Sequence, residues 1–324
     1  MKEILVNGQK ISYIFQIDSE NAISQNTDCM KALLKAWEEM DMLDTVDLYG
    51  YYGAERPDGA VGKLTCLAVP TPAEISPARK RPAILILPGG AYRRTSAREG
   101  IPVALRFLAR GYAAFVLEYS CAPMGFPVSL REAAMAMRYI RENADAYEID
   151  PAMVAAIGFS AGGHRCGTLG TMYDCPEVAD IGPAALLRPD ALCLSYPVAV
   201  EWGKTHEESF RNLSMGDPAL RQRLSLDRLV RPDMPPVFLW HTRDDQTVPC
   251  RNAIILAEAL DAAGVEFTFH LYRSGRHGLS NGDETVYAVY NVPPMSADTP
   301  TWLGSALSFF GEIGFSVTDS QTQL

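Results

Sequence analysis

Short apolar runs and segments in which apolar residues recur every three or four positions alternate along most of the chain. The apolar runs predict strands at residues 63–69, 83–88, 113–119, 153–158, 191–198, 237–242 and 267–272. Helical spacing predicts helices at 98–110, 127–147 and 250–263, and a last packing helix around 302–310. This alternation is typical of an α/β fold with a mostly parallel central sheet and helices on both faces.

Three regions fall outside this alternation. Residues 1–62 include the helical stretch MKALLKAWEEM, and we expect them to form an N-terminal extension packed on the main domain, with a small cap or an oligomer contact as the alternative. The main domain is predicted at 63–314. Within it, the charged connection 199–236 is unusually long for a compact α/β unit, which predicts a small cap or lid insertion. Residues 315–324 form a polar tail.

The strand predicted at 153–158 runs directly into Gly158, Phe159, Ser160, Ala161 and Gly162, the pattern G-x-S-x-G. This pattern at a strand-to-helix turn is typical of a nucleophile elbow. A serine on so tight a turn has strained backbone angles, so the residues two positions before and after it must be small. The turn exposes the hydroxyl above the sheet edge, and Ser160 is therefore the candidate nucleophile.

A serine hydroxyl needs a base to take its proton. His277 lies in a glycine-containing loop directly after the last predicted strand, where its imidazole can swing over the carboxyl edge of the sheet. We expect His277 to be that base, against the alternative of a solvent-exposed loop histidine. His241, at the end of a strand, is a second candidate. The remaining histidines, less suitably placed, are His164, His206 and His270.

The base needs an acid that orients it, and enzymes with this elbow carry their triad in the order Ser, Asp, His. Asp244 and Asp245 both follow the strand at 237–242. The carboxyl ends of parallel strands meet at one edge, so elbow, aspartates and histidine should converge there. The pattern does not separate the two aspartates, and their alternative role is to cap the helix at 250–263.

A negatively charged oxygen that forms during attack on a carbonyl needs N–H donors already in place. The turn Leu87-Pro88-Gly89-Gly90-Ala91-Tyr92 follows an earlier predicted strand, and its glycines allow close approach of the backbone. Ala161, directly after the serine, offers another N–H at a helix N-terminus. These segments together predict a catalytic site for acyl transfer.

The composition argues against nucleic acid and membranes as partners. The 324 residues are 48% hydrophobic, with a net charge of −10 and scattered Lys and Arg, which argues against nucleic acid. No apolar stretch approaches the roughly 18 to 20 residues of a membrane span, and the N-terminus lacks a signal-peptide core. Seven cysteines without a C-x-x-C pair predict individual buried thiols and a cytoplasmic protein.

Six separated segments, PGGAY, ARGYAAFVLEYS, GFSAGGH, RPDALCLSYPV, PPVFLWHTRDDQTVP and GRHGLS, resemble the α/β-hydrolase superfamily, specifically esterases related to acetylxylan and carbohydrate acetyl esterases. The resemblance covers roughly residues 63–312. It implies an α/β-hydrolase fold, with Asp245 as the acid of a D-x-x-V-P motif.

The same resemblance implies oxyanion donors at Gly90, Ala91 and Ala161. Pro88 stands where many lipases of the superfamily have histidine, and an alanine replaces their third glycine. This departure is expected to affect specificity for the acid and the ester, and not the reaction mechanism.

The expected function is a serine carboxylesterase that removes short acyl groups, in the first place acetyl, from sugars or oligosaccharides such as acetylated xylan fragments. Its partner would be a small-molecule ester, with no metal or cofactor, no membrane, and a homo-oligomer left open. Alternatives are a feruloyl or general small-ester esterase and a catalytically silent binding protein of this fold. A peptidase of the prolyl-oligopeptidase type is disfavoured, because 50 to 60 extra residues cannot form a propeller.

Overall fold

The computed structural model describes residues 5–6, 9–10, 43–71, 79–283, 301–316 and 318–319. Its strands are β1 (Leu5–Val6), β2 (Gln9–Lys10), β3 (Leu43–Asp47), β4 (Lys63–Leu67), β5 (Arg79–Leu87), β6 (Ala113–Glu118), β7 (Ile149–Phe159), β8 (Ala191–Ser195), β9 (Val237–Thr242), β10 (Phe267–Tyr272) and β11 (Thr318–Asp319). Its helices are α1 (Leu48–Tyr52), α2 (Ile101–Leu108), α3 (Val128–Glu142), α4 (Ala161–Met172), α5 (Ala184–Leu187), α6 (Glu207–Ser214), α7 (Pro218–Arg223), α8 (Leu226–Leu229), α9 (Arg251–Ala262) and α10 (Trp302–Glu312). The predicted helical stretch MKALLKAWEEM lies outside the described residues.

One sheet runs in the order β10-β9-β8-β7-β5-β6-β4-β3. Neighbours from β10 to β6 pair in parallel, whereas β4 pairs antiparallel with both β6 and β3. Strand β11 pairs antiparallel with the start of β5, and β1 and β2 form a separate two-stranded sheet. The predicted mostly parallel sheet is confirmed.

Strand β5 shows why the central strands are apolar throughout. Ala83, Leu85 and Leu87 pack into one buried cluster with residues of α3, α4 and α9, and Ile84 and Ile86 pack into another with residues of α2 and α10. Because helices cover both faces of the sheet, every position of β5 from Arg81 to Leu87 is buried. The prediction of helices on both faces is confirmed. No helix in the described part of the chain combines the length and the apolar character needed to cross a bilayer.

Two predicted boundaries differ from the structure. Residues 43–52 lie within the predicted extension 1–62, but residues 43–47 form β3, an edge strand of the main sheet. Helix α1 follows it directly, and its residues Leu48 and Tyr49 are buried. The helix predicted from Arg98 begins only at Ile101, because Gly100 breaks the run with φ −105° and ψ −104°. The preceding residues Ala97–Glu99 form a 3₁₀ turn.

The predicted insertion 199–236 contains α6, α7 and α8. Asp217 caps α7 by accepting the N–H groups of Ala219 and Leu220 at 2.8 and 3.3 Å. Phe210 and Leu213 of α6 are buried. The insertion, residues 199–236, is therefore folded and anchored by apolar side chains, and it is called the cap below.

His164 joins the cap to helix α4. Its buried imidazole donates from Nε2 to the carbonyl of Leu224 at 2.7 Å, so Nδ1 accepts from the Tyr92 hydroxyl at 2.8 Å. Burial, reinforced by the charge of Arg165, lowers the pKa of His164 to about 3. This histidine is neutral and structural.

We expect Gly162→Ala to destabilise the fold. A Cβ at Gly162 would lie 2.0 Å from the carbonyl oxygen of Leu87 and 2.4 Å from that of Pro88, and backbone atoms cannot withdraw without moving β5. The free energy of unfolding should fall by about 2 to 3 kcal/mol in urea denaturation. Gly304→Ala is the control, because its Cβ meets nothing within 4 Å, and should be neutral or about 1 kcal/mol stabilising. Equal losses in both variants would contradict this packing.

His164 should make the protein sensitive to acid. Its folded-state pKa of about 3 lies below the unfolded value of about 6.5, so its contribution to stability is complete above about pH 6.5 and is lost as the pH falls toward 3. At about pH 5 the loss is on the order of 2 kcal/mol.

Glutamine can keep both hydrogen bonds of His164 and does not titrate. Urea denaturation at about pH 7.5 and about pH 5 should therefore show a loss in free energy of unfolding that is about 2 kcal/mol smaller for His164→Gln than for the unsubstituted protein. The two proteins should be similar at the higher pH. An unchanged pH dependence in His164→Gln would overturn this assignment.

Candidate active site

The predicted site segments meet at one edge of the sheet because each follows the carboxyl end of a parallel strand. Ser160 follows β7, Asp245 lies in the loop after β9, and His277 lies in the loop after β10. The segment 88–92, here called the Gly-Gly turn, follows β5. The sheet thus brings together all four segments that the sequence singled out.

The backbone at Ser160 has φ 56° and ψ −118°, a left-handed conformation that costs a non-glycine residue about 1 to 3 kcal/mol. The N–H of Ser160 donates to the backbone carbonyl of Ser195 at 3.0 Å, and its own carbonyl accepts the N–H of Val198 at 3.1 Å. A Cβ at Gly158 would lie 2.1 Å from the carbonyl oxygen of Gly162. The small residues of G-x-S-x-G are therefore required by contact between the two arms of the turn.

Ser160, His277 and Asp245 form a continuous chain of hydrogen bonds. His277 Nε2 lies 2.7 Å from Ser160 Oγ, and His277 Nδ1 lies 2.6 Å from Asp245 Oδ2. A carboxylate can only accept, so Nδ1 carries the proton and Nε2 accepts from the serine hydroxyl. This is the arrangement in which an imidazole can take a proton from serine.

Asp245 is buried and held by the backbone of its own loop. Its Oδ1 accepts the N–H groups of Thr247 and Val248 at 2.8 and 3.0 Å. Burial by itself raises the pKa of Asp245, but the hydrogen bond and charge of His277 and the backbone donors outweigh it, so the pKa is lowered. The carboxyl group is therefore ionised at neutral pH.

Asp244 has a different partner. Its Oδ1 accepts the N–H of Gly275 at 2.6 Å, in the loop that carries His277. The structure thus brings Asp245 to the imidazole and Asp244 to the backbone of the histidine loop (residues 273–283).

The remaining histidines do not reach the serine. His241 is buried, and burial lowers its pKa to about 4. His270 lies in β10, where its ring stacks on that of Tyr272. His206, in the cap, is half-buried with Nδ1 2.9 Å from Ser209 Oγ, and burial and then the charge of His277 lower its pKa.

The Gly-Gly turn has an unusual backbone. Gly90, Ala91 and Tyr92 have φ of 129°, 60° and 53°. A Cβ at Gly90 would lie 2.1 Å from the carbonyl oxygen of Arg94, so only glycine fits there. Within the described residues, the N–H groups of Gly90, Ala91 and Ala161 make no hydrogen bond. Ala161 is the first residue of α4, where N–H groups have no partner inside the helix.

Two residues that the sequence analysis did not single out hold this turn. Glu99 Oε2 accepts the N–H of Gly89 at 2.9 Å, and Asn212 of the cap donates to the carbonyl of Ala91 at 2.8 Å. The only signal for Glu99 was an acidic residue inside an apolar helical pattern. Asn212 carried no signal, because an amide in a charged segment is ordinary.

Aromatic residues beside the site belong to the core. Tyr92, Phe159, Tyr196 and Trp240 flank the catalytic segments in the sequence, and each is at most 2% exposed. Trp240 stacks on Trp302 with ring centroids 5.2 Å apart. Their rings are therefore packed in the core.

The described residues contain no group of three His, Cys, Asp or Glu side chains that could hold a metal ion. The six cysteines among them, Cys66, Cys121, Cys166, Cys175, Cys193 and Cys250, are free thiols.

Two family models match the chain. The BD-FAE family matches residues 71–184, which include the Gly-Gly turn and Ser160. The prolyl oligopeptidase family matches residues 131–292, half of the chain, which include Ser160, Asp245 and His277. The two matches overlap at the elbow.

Among curated proteins, endo-1,4-beta-xylanase B of Butyrivibrio fibrisolvens is 36% identical over 220 residues, which are 64% of this chain and 34% of that protein. Acetylxylan esterase of Xylanibacter ruminicola is 30% identical over 208 residues, 62% of this chain and 41% of that protein. The chain thus spans between a third and two fifths of the length of these two relatives.

A solved structure gives a longer match. The acetyl ester-xyloside bifunctional hydrolase from Caldicellulosiruptor lactoaceticus is 32% identical, with a TM-score of 0.71 over 84% of this chain and 97% of that one. The chain therefore belongs to the α/β-hydrolase superfamily, and within it resembles acetylxylan esterase and the acetyl ester-xyloside hydrolase.

Proposed function

We propose that this member of the superfamily is a serine carboxylesterase that removes acetyl groups from sugars or oligosaccharides, such as acetylated xylan fragments. The observation that carries the proposal is the chain of 2.7 and 2.6 Å contacts from Ser160 through His277 to Asp245. It lies at the sheet edge beside backbone N–H groups that have no acceptor among the described residues. Such an arrangement suits attack on an ester carbonyl.

In the proposed reaction Ser160 Oγ attacks the ester carbonyl carbon while its proton moves to His277 Nε2. Asp245, ionised and bonded to Nδ1, stabilises the imidazolium that results. The tetrahedral intermediate collapses as His277 gives the proton to the leaving alcohol, and an acyl-serine remains. Water then attacks the acyl-serine with the same base and acid, which releases the carboxylic acid and restores the hydroxyl.

The N–H groups of Gly90, Ala91 and Ala161 are the proposed oxyanion donors. In related chemistry each such donor contributes about 100-fold to 1000-fold in rate. The positive φ of Gly90 and Ala91 turns successive peptide groups away from ordinary turn geometry. This is how the turn can present donors rather than bond them internally.

The names of the relatives support the choice of substrate. One is an acetylxylan esterase and another an acetyl ester-xyloside hydrolase. We therefore propose acetyl as the acyl group of the substrate and a xylose-based sugar as its alcohol. A feruloyl or general small-ester esterase is the alternative within the class. The match to the prolyl oligopeptidase family favours a peptidase as a second candidate.

A substrate series tests this proposal directly. We expect the highest kcat/KM on acetylated xylose and xylo-oligosaccharides, lower values as the acyl chain lengthens or becomes feruloyl, and no cleavage of prolyl p-nitroanilides. Ser160→Ala is the control, and should lower p-nitrophenyl acetate hydrolysis by about 10⁶-fold. Activity of Ser160→Ala near that of the unsubstituted enzyme would refute the nucleophile. Faster cleavage of peptides than of sugar esters would refute the substrate.

Substitution of the two adjacent aspartates should have very different effects on activity. Asp245→Asn leaves no negative charge at His277 Nδ1 and should lower kcat/KM on p-nitrophenyl acetate by about 10⁴-fold. Asp244→Asn is its matched control, because the amide oxygen can still accept the N–H of Gly275, and should cost less than about 10-fold. Circular dichroism verifies that both variants fold. A larger loss at Asp244 than at Asp245 would reverse the assignment.

A further inference from the structure

A buried carboxylate lies directly behind the Gly-Gly turn. Glu99 is only 2% exposed, and its Oε2 accepts the N–H of Gly89 at 2.9 Å. A Cβ added at Gly89 would lie 2.7 Å from that oxygen and 3.0 Å from Ser160 Cβ. The carboxylate, the turn and the nucleophile are therefore packed against one another.

The other oxygen of Glu99 connects to the histidine loop through Tyr196. The buried Tyr196 hydroxyl donates to Glu99 Oε1 at 2.7 Å and accepts the N–H of Ser280 at 2.8 Å. Burial raises the pKa of Tyr196, so the hydroxyl keeps the proton that it donates. The tyrosine ring also meets the His277 imidazole edge-on, with centroids 5.1 Å apart.

This connection spans loops that the sheet does not hold together. The Gly-Gly turn follows β5 and the histidine loop follows β10, and strands β7, β8 and β9 lie between them. Acyl transfer requires the oxyanion donors and the base to be placed within about 0.5 Å of their working positions. A short chain of buried hydrogen bonds between the two loops supplies such a constraint.

We propose that Glu99 and Tyr196 are positioning residues that set the distance between the oxyanion donors and His277. The inference rests on the proposed ester hydrolysis. The pair acts through the Gly89 and Ser280 backbones and through the ring contact with His277, without touching the substrate. Losing this constraint should impair the transition state more than substrate binding, and hence lower kcat with little change in KM.

Tyr196→Phe and Glu99→Gln test the inference with small changes of shape. Tyr196→Phe removes the link to both partners, and we expect kcat on p-nitrophenyl acetate to fall about 10-fold to 100-fold with KM within about 3-fold. Glu99→Gln keeps one acceptor and should show a smaller loss in kcat. In the double variant the two losses should combine to less than their product, because both substitutions break one chain.

The chain offers a matched control. Tyr49 donates to the buried Glu132 at 3.1 Å, and Glu132 also accepts the backbone N–H of Ser120 at 2.6 Å, the same chemistry as in the Glu99 pair. This link joins α1 to α3, and its hydrogen bonds reach neither the Gly-Gly turn nor the histidine loop. Tyr49→Phe should lower stability to a similar degree while kcat stays within about 2-fold.

The same effect of Tyr196→Phe and Tyr49→Phe on kcat would overturn the proposal. If Tyr196→Phe and Tyr49→Phe both lower the melting temperature and both leave kcat within about 2-fold, the Glu99 pair is structural only. Titrating reactive Ser160 with a fluorophosphonate normalises kcat to the folded fraction, so partial unfolding cannot imitate the effect.

The same reagent separates this proposal from the proposed function. If the unsubstituted protein hydrolyses no ester, the proposed function fails. The rate at which Ser160 reacts with the fluorophosphonate still reports on the Glu99 pair. An unchanged rate in Tyr196→Phe would then refute the positioning role.

Discussion

The contact of Gly162 with the end of β5 is the constraint on which the site depends. Ser160 sits in a backbone conformation that costs about 1 to 3 kcal/mol, so the surroundings must over-determine it. They do so because Gly162 packs against the carbonyls of Leu87 and Pro88, where the Gly-Gly turn begins. The same contact that holds the nucleophile therefore also fixes it relative to the proposed oxyanion donors.

The acid and the base depend on a second pair of neighbours. Strands β9 and β10 are adjacent and parallel, so their loops leave the sheet side by side. Two successive carboxylates then divide the work: Asp245 bonds the imidazole of His277, and Asp244 bonds the backbone of the loop that carries it. Both oxygens of Asp245 are already engaged, Oδ2 by His277 and Oδ1 by the N–H groups of Thr247 and Val248, so the loop that carries His277 is bonded by the neighbouring carboxylate instead.

Features that depend on local pattern could be predicted from the sequence. All seven strands that the apolar runs predicted are present in the structure, including the edge strand β10. Strand β3 (Leu43–Asp47) was missed because polar residues interrupt its apolar ones. The spacing could not separate Asp244 from Asp245, which follow the same strand. Glu99 and Asn212 could not be found, because their partners Tyr196 and Ala91 lie 97 and 121 positions away.

The cap is held in place by the burial of apolar side chains, and its polar contacts add orientation. Asn212 bonds the Ala91 carbonyl and Glu208 pairs with the exposed Arg93 at 3.3 Å, contacts worth about 1 kcal/mol each or less. Burial of Phe210 and Leu213 contributes about 1.5 to 3 kcal/mol apiece. Opening would cost several kcal/mol and would strip the Gly-Gly turn of its Asn212 support. We therefore propose that α6 is a fixed wall of the site, whose polar contacts set the turn, rather than a lid that opens in each turnover.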